Sequence, residues 1–320
     1  MTMMPVVAGV DGSEESLRAV EWAALEARRH RAPLRIVSVP ALMPRMRACA
    51  QAPETVAARL QGESCRALDE AITRSREVAP GQLIDVDLLA GAPAPAVAQS
   101  GSGALMLVVG ARGSGGFAAM MLGSVSRYAA MQASCPVVVV REETSAVHRE
   151  IVVGIRDPHD TDATLAYAFD EAALRGATLI AVHSWNWFHS SLSDHANSGN
   201  ATGHLADAEQ VAAEADLNLS EVLRVWRDKY PAVTVWQDVV RDHPAHVLAS
   251  YSARADLVVI GRRDDAGSHP AIGGIQHALL NHARGPVAII PAAELRRSGG
   301  NHHGERHRVR STGSSARACR

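Results

Sequence analysis

Between Val108 and Ser126 the chain reads V-V-G-A-R-G-S-G-G-F-A-A-M-M-L-G-S-V-S. An apolar run of strand length, Leu105 to Val109, ends in a glycine-dense loop, and a later glycine, Gly123, is followed by Ser124, Val125 and Ser126. Glycine admits positive φ and lets the backbone approach a ligand closely, so successive N–H groups can converge on an oxyanion. The positive end of the next helix favours the same charge, and a small hydroxyl residue opening that helix can cap it. The chemistry indicated is phosphate binding.

Other chemistries are harder to build from this chain. It has one lysine, Lys229, so the G-K-[ST] lysine of a Walker A loop is absent. No nucleophile is paired with an identifiable base, and no catalytic residue is expected. Cys49, Cys65, Cys135 and Cys319 are far apart and form no CxxC pair, which argues for reduced, structural thiols. The histidines of the 184–207 segment and of the C-terminus (His302, His303, His307) lack acidic or cysteine partners at ligand spacing, so no metal site is expected. Trp185, Trp187 and Phe188 in that segment are expected to pack over the end of their own sheet.

The elements that must hold the glycine loop follow from hydrophobic periodicity. Pro5–Val10 is a buried strand, D-G-S-E-E-S turns into a helix over Glu14–His30 with Leu17, Val20, Ala24 and Leu25 on one face, and Leu34–Val39 is a second strand. A long amphipathic helix covers Pro53–Val78, and Leu83–Leu89 is a third strand. A helix opens at A-P-A-P, Ala104–Val109 is the fourth strand and Pro136–Val140 the fifth. Alternating strands and helices imply right-handed crossovers and a parallel sheet covered on both faces.

The order then repeats. E-I-V-V-G-I echoes P-V-V-A-G-V, A-D-L-V-V-I-G echoes A-L-M-L-V-V-G, and G-P-V-A-I-I echoes C-P-V-V-V-V. Gly9 and Gly154 are 145 residues apart, Gly110 and Gly261 are 151 apart, and Pro136 and Pro286 are 150 apart. Two α/β domains are expected, over 1–145 and 146–295. From Arg296 the chain carries seven arginines against one glutamate and no apolar period, so 296–320 is expected to be disordered. This tail is the one feature that could attract nucleic acid, and no recognition motif accompanies it. Net charge is −2, no apolar stretch approaches bilayer length and no signal peptide is read at the start, so a cytoplasmic location is expected.

The spacing G-2x-G-9x-G-[ST], the V-A-G-V-D-G-S start, the C-P-V-V-V-V strand and the second copy together resemble a tandem universal stress protein over about Pro5 to Pro291. The resemblance implies two doubly wound domains of the adenine nucleotide alpha hydrolase-like kind, each with a five-stranded parallel sheet, and ATP as ligand, with Mg²⁺ as a compatible counter-ion. It places Gly9 and Asp11 at the end of the first strand, with Asp11 accepting hydrogen bonds from the ribose or the adenine edge. Val39 would pack against adenine. Gly110, Gly113, Gly123, Ser124, Val125 and Ser126 would surround the phosphates, with Arg112 adding charge. Plainer roles fit the same residues: D-G-S is an ordinary turn and cap sequence, Val39 is core with or without a ligand, the glycines could serve a tight turn, and Arg112 could be a solvated charge.

The second copy departs from this pattern. Arg156 stands where the first has Asp11, Asp264 replaces Gly113, and Gly274 replaces Ser124 with one deletion in the loop. It is expected to bind ATP weakly or not at all, with Arg262 and Arg263 left to attract some other anion. The function implied is a nucleotide-responsive regulator of stress response with ATP in the N-terminal copy. A slow ATPase or phosphotransferase, and a nucleotide-independent scaffold, are the alternatives. The fifth strands, Val137–Val140 and Val287–Ile290, are expected to pair within one chain as a pseudo-dimer, or between two chains as a homodimer.

Overall fold

The computed structural model describes residues 3–40, 54–113, 122–141, 147–156, 161–184, 201–262 and 273–292. The 185–200 segment with its aromatic residues, the loop residues 114–121 and 263–272, and the tail lie outside the described residues.

The first half contains β1 (Val6–Gly9), α1 (Glu14–Arg29), β2 (Leu34–Ser38), α2 (Glu54–Val78), β3 (Ile84–Leu88), α3 (Pro93–Ser100), β4 (Met106–Gly110), α4 (Ser124–Gln132) and β5 (Val137–Val140). The second half repeats the order with β6 (Glu150–Ile155), α5 (Asp162–Arg175), β7 (Thr178–Ser184), α6 (Ala201–Lys229), β8 (Val235–Val240), α7 (Pro244–Tyr251), β9 (Leu257–Gly261), α8 (Gly274–His282) and β10 (Val287–Ile290). β1, β4 and β5 are buried along their whole length, as continuous apolar strands between two helical layers should be. Ser13 N-caps α1 by accepting from the Ser16 N–H, Glu14 and Glu15 sit in its first turn, and Arg28 and Arg29 in its last, so cap and charge both fit the helix dipole. Leu17, Val20 and Ala24 are buried as expected. Leu25 turns outward instead, and Ala23 and Ala27 complete the buried face.

All pairs within each half are parallel, and the two halves join into one ten-stranded sheet of order β3-β2-β1-β4-β5-β10-β9-β6-β7-β8. The join is antiparallel, with Val287 opposite Val139, Ala288 opposite Val138 and Ile289 opposite Val137. Each fifth strand therefore has a neighbour on both sides, which leaves no edge there for a second chain to extend. The sheet edges are β3 and β8.

Side chains reinforce the seam. The Arg175 guanidinium bridges two carboxylates, reaching Glu26 Oε1 of α1 at 2.7 Å and also Glu171 on its own helix. His30 Nε2 lies 3.0 Å from Glu171 Oε1, and Arg29 pairs with Glu26. Glu26, Glu171 and Arg175 are almost wholly out of water. His30 and Arg175 are 145 residues apart, as are Glu26 and Glu171, so the pseudo-twofold pairs like with like except that a histidine replaces an arginine. Ligand atoms of Glu26, His30 and Glu171 lie within 4.8 Å of one another, a spacing open to a cation. Arg175 and Arg29 already neutralise the two carboxylates, so the cluster is an ion-pair lock. Further along, Arg262 Nη1 donates to the Ala133 carbonyl at 2.6 Å, and Arg141 donates to the Leu280 carbonyl.

Two cysteines bear on the expectation of reduced thiols. Cys135 is free and buried, and burial pushes its thiol up to about 11. Cys65, in α2, is disulfide-bonded, which corrects that expectation for this residue. Pairing joins cysteines that the fold brings together, and the absence of a CxxC motif does not exclude it.

Candidate functional site

In an open α/β sheet the ligand crevice lies beyond the strand carboxyl ends, where successive connections leave to opposite faces. Here that point falls between β1, whose chain continues into α1 on one face, and β4, which is entered from α3 on the other. β1 and β4 are paired with Ala8 opposite Val108, so Asp11 and Gly113 emerge side by side although about a hundred residues separate them.

The contact is close. A β-carbon built on Gly113 would stand 2.3 Å from Asp11 Oδ2. The other oxygen, Oδ1, accepts from the Ser13 N–H at 3.0 Å and the Ser13 hydroxyl at 2.6 Å. Asp11 is thus held by the turn before α1 without being its cap, and its second oxygen faces the glycine loop. A β-carbon on Gly110 would lie 2.7 Å from the Glu15 carbonyl carbon and oxygen, so β4 and the first turn of α1 touch backbone to backbone. Only glycine permits that approach.

Gly9 ends β1 beneath Val97 and Val109, and Val39, just beyond β2, is buried in the same apolar layer. Val125 is half-buried against that layer too. Arg112 is paired: its Nη2 lies 3.2 Å from Glu15 Oε1, with nearly half of its side chain in solvent. Gly123, not Ser124, is the N-cap of α4, and Ser124 is its exposed first residue. Because glycine brings no side chain, the cap leaves the first-turn N–H groups without a hydroxyl partner, the reverse of the capping serine expected. Ser126 also departs from expectation. It is buried, and its hydroxyl donates to the Gly110 carbonyl at 2.5 Å, so it ties the loop end to the helix and its proton is not directed to a ligand.

The C-terminal copy repeats the tie with different chemistry. Gln276 Nε2 donates to the Gly261 carbonyl at 2.9 Å, and its Oε1 accepts from the Gly273 N–H at 2.7 Å. A cavity of about 650 Å³ lies beyond β6 and β9, bordered by Arg156, Thr161, Val182, His243, Leu248 and Ile260 among others. Sequence spacing had pointed to the altered residues of this copy without showing that an open cavity survives there. Arg262 borders it as well, with its Nη1 donating across the seam to the Ala133 carbonyl. Arg263 and Asp264 lie outside the described residues.

A doubly wound α/β protein with a glycine-built cradle at its switch point is the class this fold and site define. The family model described as the universal stress protein family matches residues 3–141 and again 148–291. Universal stress protein Rv2005c of Mycobacterium tuberculosis is 34% identical over 296 residues, covering 89% of this chain and 96% of that protein. Universal stress protein Rv1996 of the same organism is 32% identical over 317 residues, covering 90% and 95%. Among solved structures, a universal stress protein from Archaeoglobus fulgidus aligns with a TM-score of 0.64 at 15% identity, over 91% of this chain and 97% of that one, a likeness of fold. The chain belongs to the universal stress protein family, with two copies of its domain in tandem. Among the described residues no helix is long and apolar enough to cross a membrane.

Proposed function

We propose that the chain is an ATP-binding regulator of stress response that works in the cytoplasm and holds its nucleotide in the N-terminal copy. The observation that carries this reading is the meeting of Asp11 Oδ2 with Gly113, where a β-carbon would stand 2.3 Å away. It puts a hydrogen-bond acceptor suited to ribose hydroxyls beside a backbone bare enough to approach phosphates. Val39 offers an apolar wall for adenine. The first turn of α4 supplies Ser124, Val125 and Ser126 N–H groups and the positive end of a helix. Arg112, held by Glu15, lends charge at the rim. ATP brings a polyphosphate whose charge Mg²⁺ can share, and the protein's part is to bind and orient it.

We read this binding as regulatory rather than catalytic. Asp11 Oδ1 already accepts two hydrogen bonds from Ser13, and in this reading Oδ2 accepts from the ribose, so neither oxygen is assigned to activate water at a γ-phosphate. A calorimetric titration of ATP into the nucleotide-free chain tests the reading. One site per chain, weakened at least tenfold by Asp11→Ala and by Gly113→Ala, is expected. Absence of binding by the unaltered chain would sink it, and turnover abolished by Gly113→Ala would turn it towards an ATPase.

A further inference from the structure

The cavity of the C-terminal copy differs from its N-terminal counterpart at each position that would read a nucleoside. Where the first copy has the acceptor Asp11, the second has Arg156, and where the first has the apolar Val39, the second has Ser184. Ser184 is turned away from a ligand, since its hydroxyl donates to the Asp242 carbonyl at 2.5 Å. Arg156 is exposed, borders the cavity, and has no hydrogen bond or ion pair among the described residues. Arg112 of the first copy, by contrast, is held by Glu15. His243 N-caps α7 by accepting from the Ala245 N–H at Nδ1, which leaves its proton on Nε2 as a second donor at the cavity wall. Among the described residues bordering the cavity there is no carboxylate. The opposite wall is apolar, made by Val182, Leu248 and Ile260. A space of about 650 Å³ with an apolar wall and a few convergent donors has the size and make-up of a small-molecule site.

We propose that this cavity is a second ligand site, selective for a small molecule that joins an oxyanion to an apolar body, with the oxyanion held at Arg156. A guanidinium recognises carboxylate and phosphomonoester alike through paired N–H donors. Adenine nucleotides fit poorly, because no acceptor receives the ribose hydroxyls at Arg156 and Gln276 has taken the Gly273 N–H at the head of α8. The proposal does not depend on ATP occupying the N-terminal copy. The two copies then report on different molecules: one chain carries a nucleotide sensor and a sensor of organic anions, joined by a continuous sheet.

The test is calorimetric titration of the full-length chain with phenyl phosphate, benzoate and the neutral benzyl alcohol, each with and without saturating ATP. One acid should bind one per chain, at least tenfold tighter than benzyl alcohol and undisturbed by ATP; tighter phenyl phosphate assigns the oxyanion to a phosphomonoester, and tighter benzoate to a carboxylate. Arg156→Gln should weaken it at least tenfold, Arg156→Lys should weaken it less because the charge stays while the paired donors are lost, and Gly113→Ala should leave it unchanged. Arg156 is exposed, so both variants should melt as the unaltered chain does. Displacement by ATP, loss in Gly113→Ala, indifference to Arg156→Gln, binding of two ATP per chain, or no binding of either acid at millimolar concentration would each overturn the proposal. Failure of ATP to bind anywhere would defeat only the nucleotide reading, since the acid titrations without ATP would stand.

Discussion

Arg175 and Glu26 meet 2.7 Å apart across the domain seam, with 5% and none of their side chains in water. Removing one member of a buried pair strands the other charge in a medium that solvates it poorly. Arg175→Ala would leave Glu171 with only His30 beside it and Glu26 with Arg29 alone. A loss of roughly 3–5 kcal/mol is expected in denaturant unfolding. Arg74→Ala, which breaks a half-exposed network with Glu14, Glu21 and Glu70, should cost about 1 kcal/mol or less. Equal losses in the two variants would show that the seam is not a lock.

His30 gives the seam a pH dependence. Burial holds its imidazole below the ordinary value of 6.5; Glu26 and Asp170 oppose this, and Arg175 and Arg29 reinforce it. Glu171, in direct contact at Nε2, is the fifth charged neighbour. Since the unfolded chain takes up the proton first as pH falls, stability is fully present above 6.5 and declines as pH drops towards the lower folded value. Melting temperature should therefore fall between pH 7.5 and 5.5, and fall less in His30→Gln. Parallel profiles for the two proteins would contradict this.

Gly113→Ala and Gly110→Ala should separate binding from folding. The added methyl at position 113 meets the end of one short side chain, Asp11, which can swing aside. Little stability should be lost, with ATP affinity reduced at least tenfold because the acceptor has moved. At position 110 the methyl meets the backbone of Glu15 and Ser16, which cannot yield without shifting α1. Gly110→Ala should cost on the order of 1–3 kcal/mol. Paired thermal melts and titrations decide it.

Ser126→Ala and Ser124→Ala form a second contrast. Ser126 donates to a buried carbonyl, so its removal should destabilise the chain by about 1–2 kcal/mol. Ser124 is exposed at the first position of α4, and its loss should leave stability within about 0.5 kcal/mol. The same denaturation curves check both.

The five strands and four helices of the first half, and the division into two copies, were legible because apolar period and glycine punctuation are local properties. Ser13 and Glu14 announced α1, valine runs announced buried strands, and an echo at a nearly constant offset announced the repeat. The candidate cradle was half legible: glycine spacing marked where a backbone could approach a ligand, and the change from Asp11 to Arg156 marked which copy had altered. Which way a hydroxyl points is not written in spacing, so Ser126 looked like a ligand donor until the fold brought the Gly110 carbonyl beside it.

The sequence by itself determined which segments become strands and helices and which faces are apolar, because these depend on neighbours a few positions away. The tertiary structure decided that β5 pairs with β10 of its own chain, that Arg262 donates to the Ala133 carbonyl, that Glu26 and Glu171 share Arg175, and that the altered copy keeps an open cavity. Each of these joins residues more than a hundred positions apart, or depends on the space left between elements once they pack. A run of four valines serves an edge of any parallel sheet equally well, and only the closed chain selects its partner.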